Sequence, residues 1–248
     1  MDRRTFIIGT LACGCPALAR AMAHGQHRMG CYVSGRAAAN GTPVDYVYRP
    51  SSGVPAYDLA VRRVLDRITV VTGRPLGASL QFMDAYNAHV NPDPEPKVIA
   101  FGKALLDDLA GADFELKLTC VAAHETAHIL QFEDPYFDFA LSDATVRRSE
   151  LEADAFAGAC LAFLVNGGRK IDRGVLEKKR ASVQSAFQLV FKLGDNEFNN
   201  PNHHGTGQER LEAMDAGYSF SNEIASGEAL SGDISLDIMD KARSIGVR

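Results

Sequence analysis

The chain has 248 residues, room for one sizeable core with a small appendage, and its 46% hydrophobic and 23% charged residues are ordinary for a soluble globular protein. Its formal charge is -5, and no basic run or aromatic-basic interleaving occurs, which argues against nucleic acid as a partner. Beyond the first 23 residues only Cys31, Cys120 and Cys160 remain, an odd number without a CxxC pair, which fits neither a disulfide scaffold nor a cysteine-rich zinc module, although one pair could oxidise in an exported protein.

The opening "MDRRTFIIGTLACGCPALARAMAH" joins an arginine pair (Arg3, Arg4), an apolar run and a small-x-small end at Ala21 and Ala23. That is the architecture of a cleaved export signal of the twin-arginine kind, a receptor-read address too short to span a bilayer well. Residues 1–23 are therefore expected to be removed. Neither Cys13 nor Cys15 has leucine three residues before it, which argues against a lipid anchor. No later segment is apolar enough to span a bilayer, so the expectation is a soluble periplasmic or secreted protein.

Residues 24–55, rich in Gly, Ala, Asn and Pro, read as a loose lead-in. "AYDLAVRRVLDRITVVTG" (56–73) has apolar residues at helical spacing and a stop at Gly73. "ASLQFMDA" alternates as a strand, "NAHVNPDPEPK" reads as a proline-broken loop, and "KVIAFGKALLDDLAG" as a short strand running into a helix. "ELKLTCVAAHETAHILQFED" is helical until Pro135 stops it. The next helix, "SDATVRRSELEADAFAGACLAFLVNGG", has Ser142 or Asp143 as its expected cap and Gly167-Gly168 as its stop. Another helix spans 172–193. "TGQERLEAMDAGY" opens on a Thr206-x-x-Glu209 capping box and is expected to close at Gly217, with a weakly helical extension over 221–248. The outline is a helix-rich α+β domain over 56–220 with one small sheet.

His124-Glu125-x-x-His128 fits HExxH. Residues four apart lie one above the other on a helix, so both imidazoles can reach one ion, and Glu125 can take a proton from a water held beside it. A hydrolytic zinc needs a third protein ligand and an open fourth position. Asp134 follows His128 by six residues, but such a ligand needs a sharp turn, usually with glycine where this chain has Gln131. Cys120 lies about 12 Å along the helix axis from His128, too far to share an ion, and reads as a core residue. Glu150, four residues before Asp154 on a largely apolar helix, is the expected third ligand. Asp154 then accepts the free N–H of a zinc histidine. Glu152, between them, points away. Spacing alone does not choose between His203 and His204, and Tyr136 is a weaker candidate for an oxyanion donor.

Taken in order, "NAHV", "HETAH", "ELEADAFAG" and "HHGTGQERLEAM" resemble the gluzincin metallopeptidases of the HtpX and CAAX-prenyl-protease type, and a related group of bacterial neutral zinc metallopeptidases. The likeness covers roughly residues 56 to 217. It implies a minigluzincin-type domain and one zinc ion held by His124, His128 and Glu150, with Glu125 as general base. It also implies that His204 stabilises the oxyanion or contacts substrate, that Arg210 orients the site beside Asp154, and that a peptide or unfolded protein is the substrate. Asn87 and Ala88 would precede a substrate-binding edge strand formed by "KVIAF", with Val98, Ile99 and Ala100 holding the peptide by strand addition. The chain departs from the pattern in lacking membrane helices, in carrying His204-Gly205 for His-Pro, and in having Thr126-Ala127 within the HExxH, a change that bears on packing. The rival expectation is a non-catalytic zinc-containing module that binds a peptide or partner.

Overall fold

The structure, a computed structural model, describes residues 30–31, 46–92, 94–133, 145–166, 178–196 and 203–225, with residues 174, 198 and 244 singly. The expected export signal, most of the lead-in, Asp134, Tyr136, Ser142, Asp143 and nearly all of the extension beyond 225 lie outside them. None of the described helices is long and apolar enough to cross a membrane.

Helix α1 (Pro55–Thr72) opens on a proline whose missing N–H costs nothing at a helix start, and it ends at Gly73 in the left-handed region (φ 68). It buries Val61, Val64, Leu65, Ile68 and Val71, the stripe its spacing predicted. Strand β2 (Ala78–Met83) follows, then β3 (Ala88–Asn91) and β4 (Lys97–Gly102). The sheet order is β1-β3-β4-β2, where β1 is Gly30–Cys31. β4 runs parallel to β2 and antiparallel to β3.

This order corrects two expectations. Ala88–Asn91, expected within a loop, is a strand; it is too short and too polar for its alternation to register. β4 is an interior strand, not an edge. Val98 pairs with Ser79 on one side and Asn91 on the other, and Ala100 with Gln81 and His89. Val98, Ile99 and Ala100 therefore have no free backbone to offer a peptide, because both ladders are already made.

Alternation along the strands builds two layers. Phe82, Ala88, Val90, Ile99 and Phe101 join the main core with the helices. Met83, Val98 and Ala100 form a smaller cluster on the opposite face, covered by Tyr46, Tyr48 and Ala85. Tyr46 stacks on His89 at 4.7 Å between ring centroids, Tyr48 Oη bonds His89 Nε2 at 2.7 Å, and Arg49 bridges to Phe82. The end of the lead-in is thus an ordered cover rather than loose chain.

Helix α2 (Lys103–Leu109) leads into α3 (Phe114–Glu133), which is buried on nearly every side from Leu118 to Gln131. α3 packs against α1, the sheet and α4 (Arg147–Val165). α4 begins later than its expected caps, after Val146 and without a side-chain cap. The helix expected over 172–193 is interrupted by a 3₁₀ turn (Arg180–Val183) before α5 (Gln184–Lys192). The Thr206–Glu209 capping box is present: Thr206 N–H donates to Glu209 Oε2 at 2.8 Å, and Glu209 N–H to Thr206 Oγ1 at 3.2 Å.

Helix α6 (Gly207–Ala225) does not close at Gly217 but runs through it. A Cβ on Gly217 would stand 1.8 Å from Ala155 O, and one on Gly158 would stand 2.0 Å from Met214 O. Glycine serves here as the contact that lets α4 and α6 meet backbone to backbone.

Candidate metal centre

The buried face of α3 brings His124 and His128 together, as spacing by four residues requires, and α4 carries Glu150 against them. Their ligand atoms lie within 4.8 Å of one another, and among the described residues this is the group of three or more His, Cys, Asp or Glu that could hold a metal ion. The two Nε2 atoms are 3.1 Å apart. His124 Nε2 lies 3.2 Å from Glu150 Oε2, and His128 Nε2 lies 3.4 Å from Glu150 Oε1.

Hydrogen-bond partners on the far side of each ring decide what those nitrogens carry. His124 Nδ1 is 2.9 Å from Asp154 Oδ1, and His128 Nδ1 is 2.7 Å from Gln131 Oε1. A carboxylate and an amide oxygen only accept, so both Nδ1 atoms are the donors, and in the neutral form of each ring the Nε2 lone pair is left facing the other ring and Glu150. Neither carboxylate oxygen of Glu150 has a hydrogen-bond partner. Three such donors converging in a dry site could hold a cation among them, with the Arg210 guanidinium 3.8 Å from Glu150 Oε2.

Their spacing suits one. An ion with four ligands at about 2.0 to 2.1 Å sets those ligands roughly 3.3 to 3.4 Å apart, close to the contacts observed. Burial raises the Glu150 carboxyl, but the charge of His204 foremost outweighs it and holds the group well below its ordinary value, as an anion able to ligate.

Asp154 is the hinge of the site. Arg210, wholly buried on α6, donates from Nε to Asp154 Oδ2 at 2.7 Å and from Nη2 to Oδ1 at 2.9 Å, a two-pronged clamp. Nη1 donates to Leu193 O at 3.2 Å. Burial pushes the Asp154 carboxyl up, but Arg210 and then His124 outweigh it and hold it below its usual value. The clamp thus runs from α6 through α4 to a ring of α3.

Glu125 is wholly buried on α3, between the two histidines in sequence. His203 and His204 share Asp195: His203 Nδ1 bonds Asp195 Oδ1, and His204 N–H donates to Oδ2 at 2.9 Å. His203 lies against Phe198 with the rings tilted at 60°, while His204 helps to lower the Glu150 pKa.

The expected substrate strand is not available as drawn. Asn87 donates to Tyr46 Oη at 3.2 Å, its carbonyl accepts from Gly102 N–H at 2.7 Å, and Ala88 pairs with Cys31. Thr126 Oγ1 returns to Ala122 O at 2.8 Å and Ala127 is in the core, so that departure is absorbed by packing. Cys120 and Cys160 are buried in the core, where Cys120 Sγ lies 3.9 Å from Met214 Sδ, in keeping with the core reading of Cys120.

Gln131, Glu152 and Asp195 belong to the site and were missed in the sequence. Glu152 does turn from Glu150, but into the protein, where it is 2% exposed and accepts from Gln131 Nε2 at 3.2 Å. Compared with protein-family models, with curated proteins and with solved structures, the chain matches none.

Proposed function

We propose that the chain is a zinc-dependent endopeptidase of the gluzincin type, exported by a twin-arginine-like signal and acting on unfolded or envelope proteins. The observation that carries this reading is the convergence of two bare imidazole nitrogens and the Glu150 carboxylate, with Glu125 buried on the same helix. His124, His128 and Glu150 would hold zinc, one ion per chain. Two imidazoles and one carboxylate are a ligand set typical of a hydrolytic zinc with an open fourth position.

When bound, zinc supplies Lewis acidity and brings the acidity of a water molecule into the neutral range. Glu125 takes a proton from the attacking water and hands it to the departing amine. His204, held by Asp195, donates to the oxygen on which negative charge develops; a donor so placed is worth about 2.7 to 4 kcal/mol. Asp154 and Arg210 keep His124 in the tautomer that binds. The peptide lies along the sheet edge nearest α3.

A second reading keeps the metal and drops the chemistry: a structural zinc in a module that binds a peptide or partner. The near-complete burial of His124, His128 and Glu150 supports it. Glu125 separates the two, since a structural site has no use for a base. The test is cleavage of reduced, unfolded casein by the zinc-loaded chain from residue 24, beside Glu125→Gln. Cleavage lost in the variant at equal zinc content supports the peptidase. Zinc bound without cleavage by either protein favours the second reading, and no zinc in either overturns both.

A further inference from the structure

The two metal-facing histidines are held differently. His124 donates to a carboxylate clamped by an arginine, whereas His128 donates to Gln131, one turn further along its own helix. An amide could present either end to the ring, so something must choose. Gln131 is 2% exposed, and its Nε2 donates to Ser149 O at 2.9 Å and to Glu152 Oε2 at 3.2 Å. Both of those atoms only accept. The amide is therefore locked with nitrogen toward α4 and oxygen toward His128. Glu152 is itself steadied by Arg148, whose Nε lies 3.4 Å from Glu152 Oε1.

We infer that Gln131 is the positioning residue of His128: it sets the Nδ1–H tautomer and aims Nε2 at the metal, with Ser149 and Glu152 fixing the amide. This rests on the metal-site reading above and adds a residue to it. The arrangement gives the centre two parallel ties between α3 and α4. One runs His124 to Asp154. The other runs His128 through Gln131 to Ser149 O and Glu152. A Gln131 that merely filled the core would need no such orientation. A neutral amide also leaves His128 less electron-rich than a carboxylate would, so the two rings are unequal ligands.

The experiment compares zinc affinity, by competition with a chromophoric chelator, and the visible spectrum of the cobalt-loaded protein. The proteins are the mature chain, Gln131→Leu, and the exchange Gln131→Glu with Glu152→Gln. Loss of an outer partner of this kind costs about 10- to 100-fold in metal affinity. We expect that loss in Gln131→Leu, with a shifted cobalt spectrum, and partial recovery in the exchange, which restores an acceptor facing Nδ1 but leaves Ser149 O without its donor. Parent affinity and spectrum in Gln131→Leu would overturn the inference and leave the metal site standing. No zinc or cobalt bound by the parent would overturn the site itself. Should Gln131→Leu fail to fold, the ring nitrogen NMR shifts of His128 in the metal-free parent decide at a pH where the ring is neutral: the Nδ1–H tautomer supports the inference, the Nε2–H tautomer overturns it.

Discussion

Gly217 in α6 and Ala155 in α4 meet backbone to backbone, and a Cβ on the glycine would stand 1.8 Å from the Ala155 carbonyl oxygen. Gly158 stands in the reciprocal position to Met214 O, at 2.0 Å. The obstructing atoms are main chain, so no rotamer change relieves the clash. Gly217→Ala and Gly158→Ala should each force the helices apart and cost about 1–3 kcal/mol or more. Thermal unfolding with chelator present checks this free of any metal effect. A melting temperature equal to the parent's would mean that the helices separate without loss of packing.

Arg210 is wholly buried and carries the Asp154 carboxylate in a two-pronged clamp. Arg210→Met strands that buried carboxylate and should cost about 3–5 kcal/mol. Arg210→Lys keeps a charge but not the fork, and should fall between parent and Met variant. Denaturant titration of the three proteins measures the order. Equal midpoints for Lys and Arg would show that charge alone suffices.

Glu209 gives the clearest pH signature. Hydrogen bonding to Arg147, opposed by burial and aided by Thr206 N–H and Oγ1, lowers its carboxyl from 4.5 to about 2. A carboxyl depressed in the folded state stabilises fully above its unfolded value and loses that contribution as pH falls through the folded one. The stability gap between parent and Glu209→Gln should therefore be constant above about pH 5 and close between there and about pH 2. Melting temperatures across that range test it, and a gap unchanged at the acid end would remove Glu209 from the acid response.

Strand addition to this sheet cannot use β4, and the edge beside β3 is partly covered. Gly30 pairs with His89 and Cys31 with Ala88, and β1 also packs on α3. If the chain cuts peptides held along that edge, its own N-terminal segment competes for it. Gly30→Pro with Cys31→Pro removes both N–H donors. The double variant should cleave unfolded casein several-fold faster at low substrate, where edge occupancy counts against binding. An initial rate equal to the parent's would show that the edge is not limiting.

What was legible in the sequence was what is locally encoded. α1, α3 and the β4–α2 passage follow from long apolar stripes with punctuation at their ends, and the His124, His128 and Glu150 cluster follows from four-residue spacing on two buried helices. What failed depended on distant neighbours. Gly217 reads as a stop from its own surroundings, and only Ala155 opposite makes it a contact. Ala88–Asn91 is a strand because β4 and β1 flank it. Gln131 looked like the wrong residue for a turn, although it is the partner of His128, because Ser149 and Glu152 that orient it come from the next helix.

The clamp has a consequence for how the protein comes into being. Arg210 reaches back 56 positions to Asp154, which reaches back 30 to His124. A chain emerging from the ribosome presents all three metal donors well before the residue that braces them. Tight metal capture should thus mark the end of folding rather than its beginning, and a chain clipped before α6 would keep the whole HExxH yet lose its grip on the ion. If His124, His128 and Glu150 hold a metal, the centre would serve as a proof of completeness, closing only once α6 has arrived.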